Sequence, residues 1–241
     1  MSYQPPSSVP SLVVAPEVRQ LGLQHARVWV LSGETPLTEP VLSAAQAARL
    51  LASLPSEDSV AGYRRLMSAL GHPDTVPAGE RLRELVASRP WQGHGGVIDA
   101  VTIASVVAGG GIGLHDVNAM DSEAHLVVRR SPGGERITPA FSSRSRPIPE
   151  GDLTYGALTS DGCFQPFAWL GKRDTDAATL QVSPSSRQVC VVALGHPGDT
   201  AEHTERVISS VTSCLDVLGI QVRVTPLPRV PVSLPTTEVT L

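Results

Sequence analysis

The chain has 241 residues, a formal net charge of −4, 41% hydrophobic residues and only 4% aromatic ones. That length is enough for one large core or two small ones. The acidic balance gives no support for strong nonspecific nucleic-acid binding, and so few aromatics argue against a platform that stacks single-stranded bases.

Residues 1–11 read as a polar, Pro/Ser-rich tail with no basic segment followed by an apolar core, so no signal peptide is expected. Leu12-Val13-Val14 and Ala26 to Leu31 are short, β-branched and bounded by turn residues, which predicts two strands. Ser43 with Gln46 three residues on has capping-box spacing and opens a predicted helix over Ala44 to Leu54. A second helix is predicted from about Glu57 to Leu70 and a third after Pro77. The apolar stretch Ile98 to Ala108 predicts a deeply packed fourth, running into Gly109-Gly110-Gly111-Ile112-Gly113. His125 to Arg130 predicts a strand, and Gly133-Gly134 a turn into Glu135 to Thr138, together a hairpin. Leu153 to Tyr155 and Gln188 to Leu194 predict further strands. Asp199 and Glu202 have capping-box spacing before an apolar stripe through Val207, Val211, Cys214, Leu215 and Leu218, ended by Gly219. Ile220 to Thr225 predicts a last strand, and the Pro-rich residues 226–241 a tail. Helices come early and strands late, so the expected class is α+β, with mixed or antiparallel sheets flanked by helices, in one domain over residues 12–225.

Generic catalytic signatures are missing: no nucleophile elbow, no phosphate-binding loop, no H-E-x-x-H and no C-x-x-C occurs. Cys163, Cys190 and Cys214 suit neither a disulfide framework nor a zinc site, and a reducing, cytoplasmic setting follows most simply. No apolar run reaches the roughly 20 residues of a membrane span, so no membrane association is expected. The glycine run can be a plain helix end or a backbone wall that lets a ligand approach closely. Asp99 reads as a carboxylate capping buried amides or as a pocket group. His115 and Asp116 read as a base with its orienter, or as two independent turn residues. Arg64 and Arg65 on the second helix, and the charged run Lys172 to Asp176, are either solvated or contact a partner.

Three segments taken in order carry a resemblance: Val97-Ile98-Asp99-x-x-Thr102, then Gly109-x-x-Ile112-Gly113-x-His115-Asp116, then Leu126 to Arg130 with Gly134-Glu135. Val60 to Leu66 upstream, and Pro149 to Tyr155, Trp169 and Val182 to Val189 downstream, extend it over roughly residues 12–225. This pattern resembles the B3/B4 domain, the editing module of the phenylalanyl-tRNA synthetase β subunit, which also occurs as freestanding proteins. The resemblance implies a layered B3/B4-type α+β domain acting as a trans-editing aminoacyl-tRNA deacylase. Water would attack the ester of a mischarged amino acid, nonproteinogenic ones included, with no protein nucleophile and no cofactor or metal. Gly111 and Gly113 would form the pocket wall, with Thr102 and His115 at the ester end. Asp99 would belong to the substrate site, Asp116 or Asp176 would read the amino group or side chain, and Arg64 and Arg173 would meet the tRNA acceptor end. DNA is not an expected partner. This chain departs from the family pattern at His94-Gly95-Gly96, at Thr102, and in Phe167 to Arg173. Two other functions stay open: a noncatalytic module binding tRNA or an amino-acid-like ligand, and a hydrolase of another aminoacyl ester or thioester.

Overall fold

A computed structural model describes residues 10–54, 59–118, 124–159, 161–172 and 174–230. In chain order the elements are β1 (Leu12–Val14), α1 (Pro16–Gln20), β2 (Arg27–Ser32), α2 (Ala44–Ser53), α3 (Val60–Ala69), α4 (Ala78–Ser88), α5 (Gly96–Ala108), β3 (Gly113–Asp116) and β4 (His125–Arg130). There follow β5 (Arg136–Ile137), β6 (Arg146–Pro147), β7 (Leu153–Leu158), β8 (Phe164–Leu170), β9 (Thr175–Asp176), a single 3-10 turn at Ala178–Leu180, β10 (Gln188–Ala193), α6 (Ala201–Val217), β11 (Arg223–Pro226) and β12 (Arg229–Val230). The molecule is α+β, with mixed and antiparallel sheets flanked by helices, as its element order predicts.

Two sheets dominate. The larger runs β12-β1-β4-β7-β8-β9, parallel from β12 to β4 and antiparallel beyond; the smaller, β11-β2-β10-β3, is antiparallel throughout. Strand side chains alternate between faces, and β10 uses both. Its Cys190 and Val192 join a core with Leu12, Val128, Tyr155 and Phe167 of the larger sheet, while Val189, Val191 and Ala193 join a second core with Val97, Ile103, Val211 and Leu215 of the helices. The order of layers is therefore large sheet, small sheet, then α5 and α6 with α2. The continuous apolar sequence of β10 reflects burial on both faces.

Helix α5 is buried almost all round, so its ends need partners. At its start the Gly96 and Val97 amides donate to the carbonyls of Thr38 and Leu37. At its end Arg83 of α4 donates to the carbonyls of Val106 (2.6 Å) and Val107 (3.1 Å), a cation at the negative helix end. Gly109 then adopts φ 70°, a left-handed turn that glycine takes without strain. The capping box at Ser43 and Gln46 forms as predicted.

Several local expectations change. The predicted hairpin over 125–138 does not form: β4 is paired on both sides, to β1 and β7, so no edge is left for β5, which pairs with β6 instead. The Asp199–Glu202 capping box is also absent, because Asp199 turns back to accept from the His196 amide and the helix starts after Thr200. Residues 113–116 form an edge strand on β10 that the sequence reading did not predict. Arg229–Val230 extends the large sheet as an edge strand inside the segment read as a tail. The expected start of the second helix at Glu57 lies outside the described residues. No helix among the described residues is long and apolar enough to cross a membrane.

Candidate functional site

Where the edge strands β3 and β9 of the two sheets come together, a pocket of about 100 Å³ opens. It is lined by Gly111, Ile112 and Gly113 on one side, Tyr155 and Trp169 behind, Asp174 and Asp176 on the other, and Ala78 at the start of α4. The sequence dictates this gap locally. Glycines 111 and 113 leave the lead into β3 without side chains, and a methyl group built on Gly113 would overlap the Tyr155 hydroxyl. In the β7–β8 pair the register shifts beside Tyr155, which places an extra residue, Phe167, on β8. Such bulges re-aim neighbouring side chains.

Tyr155 is braced from behind by a histidine, and Trp169 by an aspartate that in turn meets one. The Tyr155 hydroxyl lies 2.8 Å from His115 Nε2, with the rings edge to face at 5.5 Å. Trp169 donates its indole N–H to Asp152 Oδ2 at 2.7 Å, and the other Asp152 oxygen meets His72 Nε2 at 2.6 Å. His115 is fully buried, and desolvation drives its pKa down to about 3, so the ring is neutral at ordinary pH. Its 4.0 Å approach to Asp176 is thus not an ion pair. Burial likewise pushes the Tyr155 hydroxyl far above its usual value, with Asp176 adding to the rise, and pushes the Cys190 thiol behind the pocket up to about 12. Both groups stay protonated.

The two carboxylates are the titrating part of the site. Asp176 has a pKa raised to about 6, first by burial of its surroundings and then by the charge of Asp174. Its side chain is 55% exposed, so solvent reaches the group at the mouth while low-dielectric walls stand behind it. Asp174 is also raised, by burial, against the opposing pull of Arg81 (3.8 Å) and the Ala78 amide. One Asp174 oxygen, Oδ1, is buried with no hydrogen-bond partner among the described residues. The amides of Gly111 and Ile112 make no hydrogen bond among the described residues either. Residues lining the pocket therefore carry two unused backbone donors and one unused carboxylate acceptor. An unmet buried oxygen such as Asp174 Oδ1 is rare enough that a bound ligand is a reasonable partner for it, while the Gly111 amide is open to solvent.

Of the residues singled out in the sequence, Gly111, Gly113 and Asp176 line this pocket, and His115 stands directly behind it. The others lie elsewhere. Thr102 donates back to the Ile98 carbonyl at 2.8 Å and lines a separate hollow with Trp91 and His94. Asp99 is fully buried and accepts from the amides of Leu42 (2.9 Å) and His94 (2.7 Å), tying two loops to α5. Asp116 follows His115 on a strand and so faces the opposite way, where it takes the Ser186 hydroxyl and the Asn118 amide. Arg64 forks onto Glu80 in the first turn of α4. Arg173 lies outside the described residues. Sequence reasoning missed Tyr155 and Asp174, and gave Trp169 no role in the site. Only the charged run 172–176 carried any signal for Asp174.

No family model and no curated protein matches this sequence. Among solved structures it is similar to the crystal structure of an N-terminal fragment of the phenylalanyl-tRNA synthetase β subunit from Pyrococcus horikoshii, at 9% identity and a TM-score of 0.44. The alignment covers 96% of this chain and 58% of that one, so the chain spans less than two thirds of the fragment, and the likeness is a weak one at the level of the fold.

Proposed function

We propose that the pocket hydrolyses a small aminoacyl ester, with a mischarged tRNA 3′ end as the carrier of that ester. One observation carries this reading: unpartnered backbone donors at Gly111 and Ile112 and an unpartnered carboxylate oxygen at Asp174 line the same small pocket. An aminoacyl group presents the complement, a carbonyl oxygen and an ammonium one carbon apart. Asp174 takes the ammonium, and the two amides polarise the carbonyl. Asp176, with a pKa of about 6, is ionised near neutrality and draws a proton from the attacking water. Water oxygen bonds to the carbonyl carbon, the ester C–O bond breaks, and the proton leaves with the ribose oxygen. Among the described residues that line the pocket there is no serine or cysteine, and the Thr175 hydroxyl has no hydrogen-bonded base beside it, so this reading assigns the attack to water.

The volume narrows the substrate. About 100 Å³, against the roughly 150 Å³ of an engineered cavity that holds benzene, favours a small acyl side chain over an aromatic one. Arg64 on α3, which reaches Glu80 in the first turn of α4, Arg81 in that turn, and Lys172, which opens the charged run into β9, supply cations for the acceptor end. Thr102, Asp99 and Asp116 have no step in this reading, while Arg173 and a cytoplasmic setting remain part of it as expectations. The test is a deacylation screen with tRNAs charged with small, basic and aromatic amino acids. Rapid loss of a small aminoacyl ester, and its absence in Asp176→Asn, is the expected result. The net charge of −4 favours a second reading, a noncatalytic module for a small free amine. Binding of small amines with every ester left intact selects that reading, and hydrolysis of aminoacyl thioesters alone selects a different carrier.

A further inference from the structure

We propose that Tyr155 donates its hydroxyl hydrogen to the ligand's carbonyl oxygen in this pocket, and that His115 is the positioning residue that leaves it free to do so. This rests on the aminoacyl reading above. Two atoms in contact, Tyr155 Oη and His115 Nε2, share one hydrogen across their 2.8 Å gap. Which atom owns it decides what the hydroxyl can do elsewhere. The second ring nitrogen, Nδ1, is buried and has no hydrogen-bond partner among the described residues. A hydrogen placed there would be an orphaned buried N–H, the rarest kind of unmet group. A bare lone pair there is the milder alternative. The neighbouring Cys190 thiol offers no way out, since it engages the backbone of His115. Hydrogen on Nε2 instead leaves the Tyr155 O–H as the donor without a protein partner, and that donor lines the pocket, where solvent or a ligand can meet it. The neutral ring therefore carries its hydrogen on Nε2 and donates to Tyr155.

The hydroxyl then accepts from His115, and its own hydrogen has no protein acceptor among the described residues. Its surroundings are fixed. Gly113 lies against the oxygen so closely that no side chain could stand there, and the ring is locked by burial. Tyr155 lines the pocket together with Gly111 and Ile112, so the proposal brings its hydrogen and their amides to one ligand oxygen. Three donors around one oxygen are what a developing oxyanion needs. Were the tautomer reversed, Tyr155 would donate to His115 and offer the ligand only lone pairs, which would repel a carbonyl oxygen.

Two measurements test this separately. In the full chain without ligand, nitrogen-15 NMR of the imidazole reads the tautomer. The expected result is hydrogen on Nε2 with no titration between about pH 5 and 8. Hydrogen on Nδ1 overturns the inference whatever the protein's activity. In the deacylation assay, Tyr155→Phe should lower kcat about 100-fold with KM little changed, the size of one lost oxyanion donor. His115→Gln, which keeps an N–H donor, should retain more activity than His115→Phe, each compared by circular dichroism to confirm folding. Wild-type kcat in Tyr155→Phe overturns the inference and leaves the deacylase reading standing. A wild-type protein inactive on every ester overturns that reading instead. Alaninamide, which has an ammonium and a carbonyl but no ester, then tests the donor by binding: equal affinity in wild type and Tyr155→Phe overturns it.

Discussion

Asp176 carries two separable pH effects, and their signs differ. As the base in the proposed reaction it must be ionised, so activity should fall about tenfold per pH unit below about 6 and be flat above, read as log kcat/KM against pH. Asp176→Asn should remove this limb along with at least 100-fold of rate; an unchanged limb would assign it to another group. Stability runs the other way. The folded value of about 6 lies above the ordinary 3.8, so between those values the folded chain binds more protons than the unfolded one. Stability is thus lost as pH rises through that window, and Asp176→Asn should melt slightly above wild type at pH near 8 and equal to it near pH 4. The exposed side chain keeps this difference small. At Gly113 the expected effect is steric: Gly113→Ala forces the Tyr155 hydroxyl aside, lowering stability by about 1–3 kcal/mol and removing activity in the same variant. The glycines could be read from the sequence because a side-chain-free run is a local signal, and Asp176 was singled out through the family resemblance, since the charged loop marks Asp174 and Asp176 alike. Tyr155, Asp174 and Trp169 could not, because only the bulged register of β8 and the packing of one sheet edge on another bring them together.

At the scale of elements, α4 and α5 are coupled to the pocket through contacts too close for a side chain. A methyl group on Gly79 would strike the backbone of Gly109 and Gly110, and neither backbone can yield cheaply. Gly79→Ala should therefore destabilise by about 1–3 kcal/mol and also shift Ala78, a pocket residue, so KM should rise even in protein that remains folded. Asp99 makes a useful contrast. Removing its carboxylate strands the Leu42 and His94 amides, so Asp99→Ala should lose about 2–4 kcal/mol in chemical denaturation while leaving kcat per folded molecule unchanged. A large kcat loss at full folding would give Asp99 a role in the substrate site after all. The elements themselves were mostly legible, since α2, α5, α6, β4 and β10 announce themselves by caps, period and apolar run. Partners were not. The Gly133-Gly134 turn is real, with both residues at positive φ, yet a turn signal says nothing about which neighbour a strand finds once both sides of β4 are taken.

For the whole molecule, the layered arrangement sets where charge can act. The pocket sits at an edge between two sheets, with two carboxylates at its mouth and a net charge of −4 behind them. Long-range attraction cannot gather a polyanion to such a surface, so binding of a tRNA acceptor end must depend on a few local cations. For a single-stranded 3′ end the salt slope is about 0.7 per phosphate contact, which gives a slope of roughly −2 if Arg64, Arg81 and Lys172 each meet one phosphate. Lys172 is exposed and close to the mouth in sequence, so Lys172→Ala is the cleanest probe. It should weaken binding of uncharged tRNA and flatten the plot of log K against log salt by about 0.7, with hydrolysis of a small amino acid methyl ester unchanged. An unaltered slope, with tRNA still bound, would move the acceptor end to another face and detach the pocket chemistry from tRNA. A slope near zero in the wild type would favour a small free ligand, because without phosphate contacts only the ammonium and carbonyl remain to be recognised.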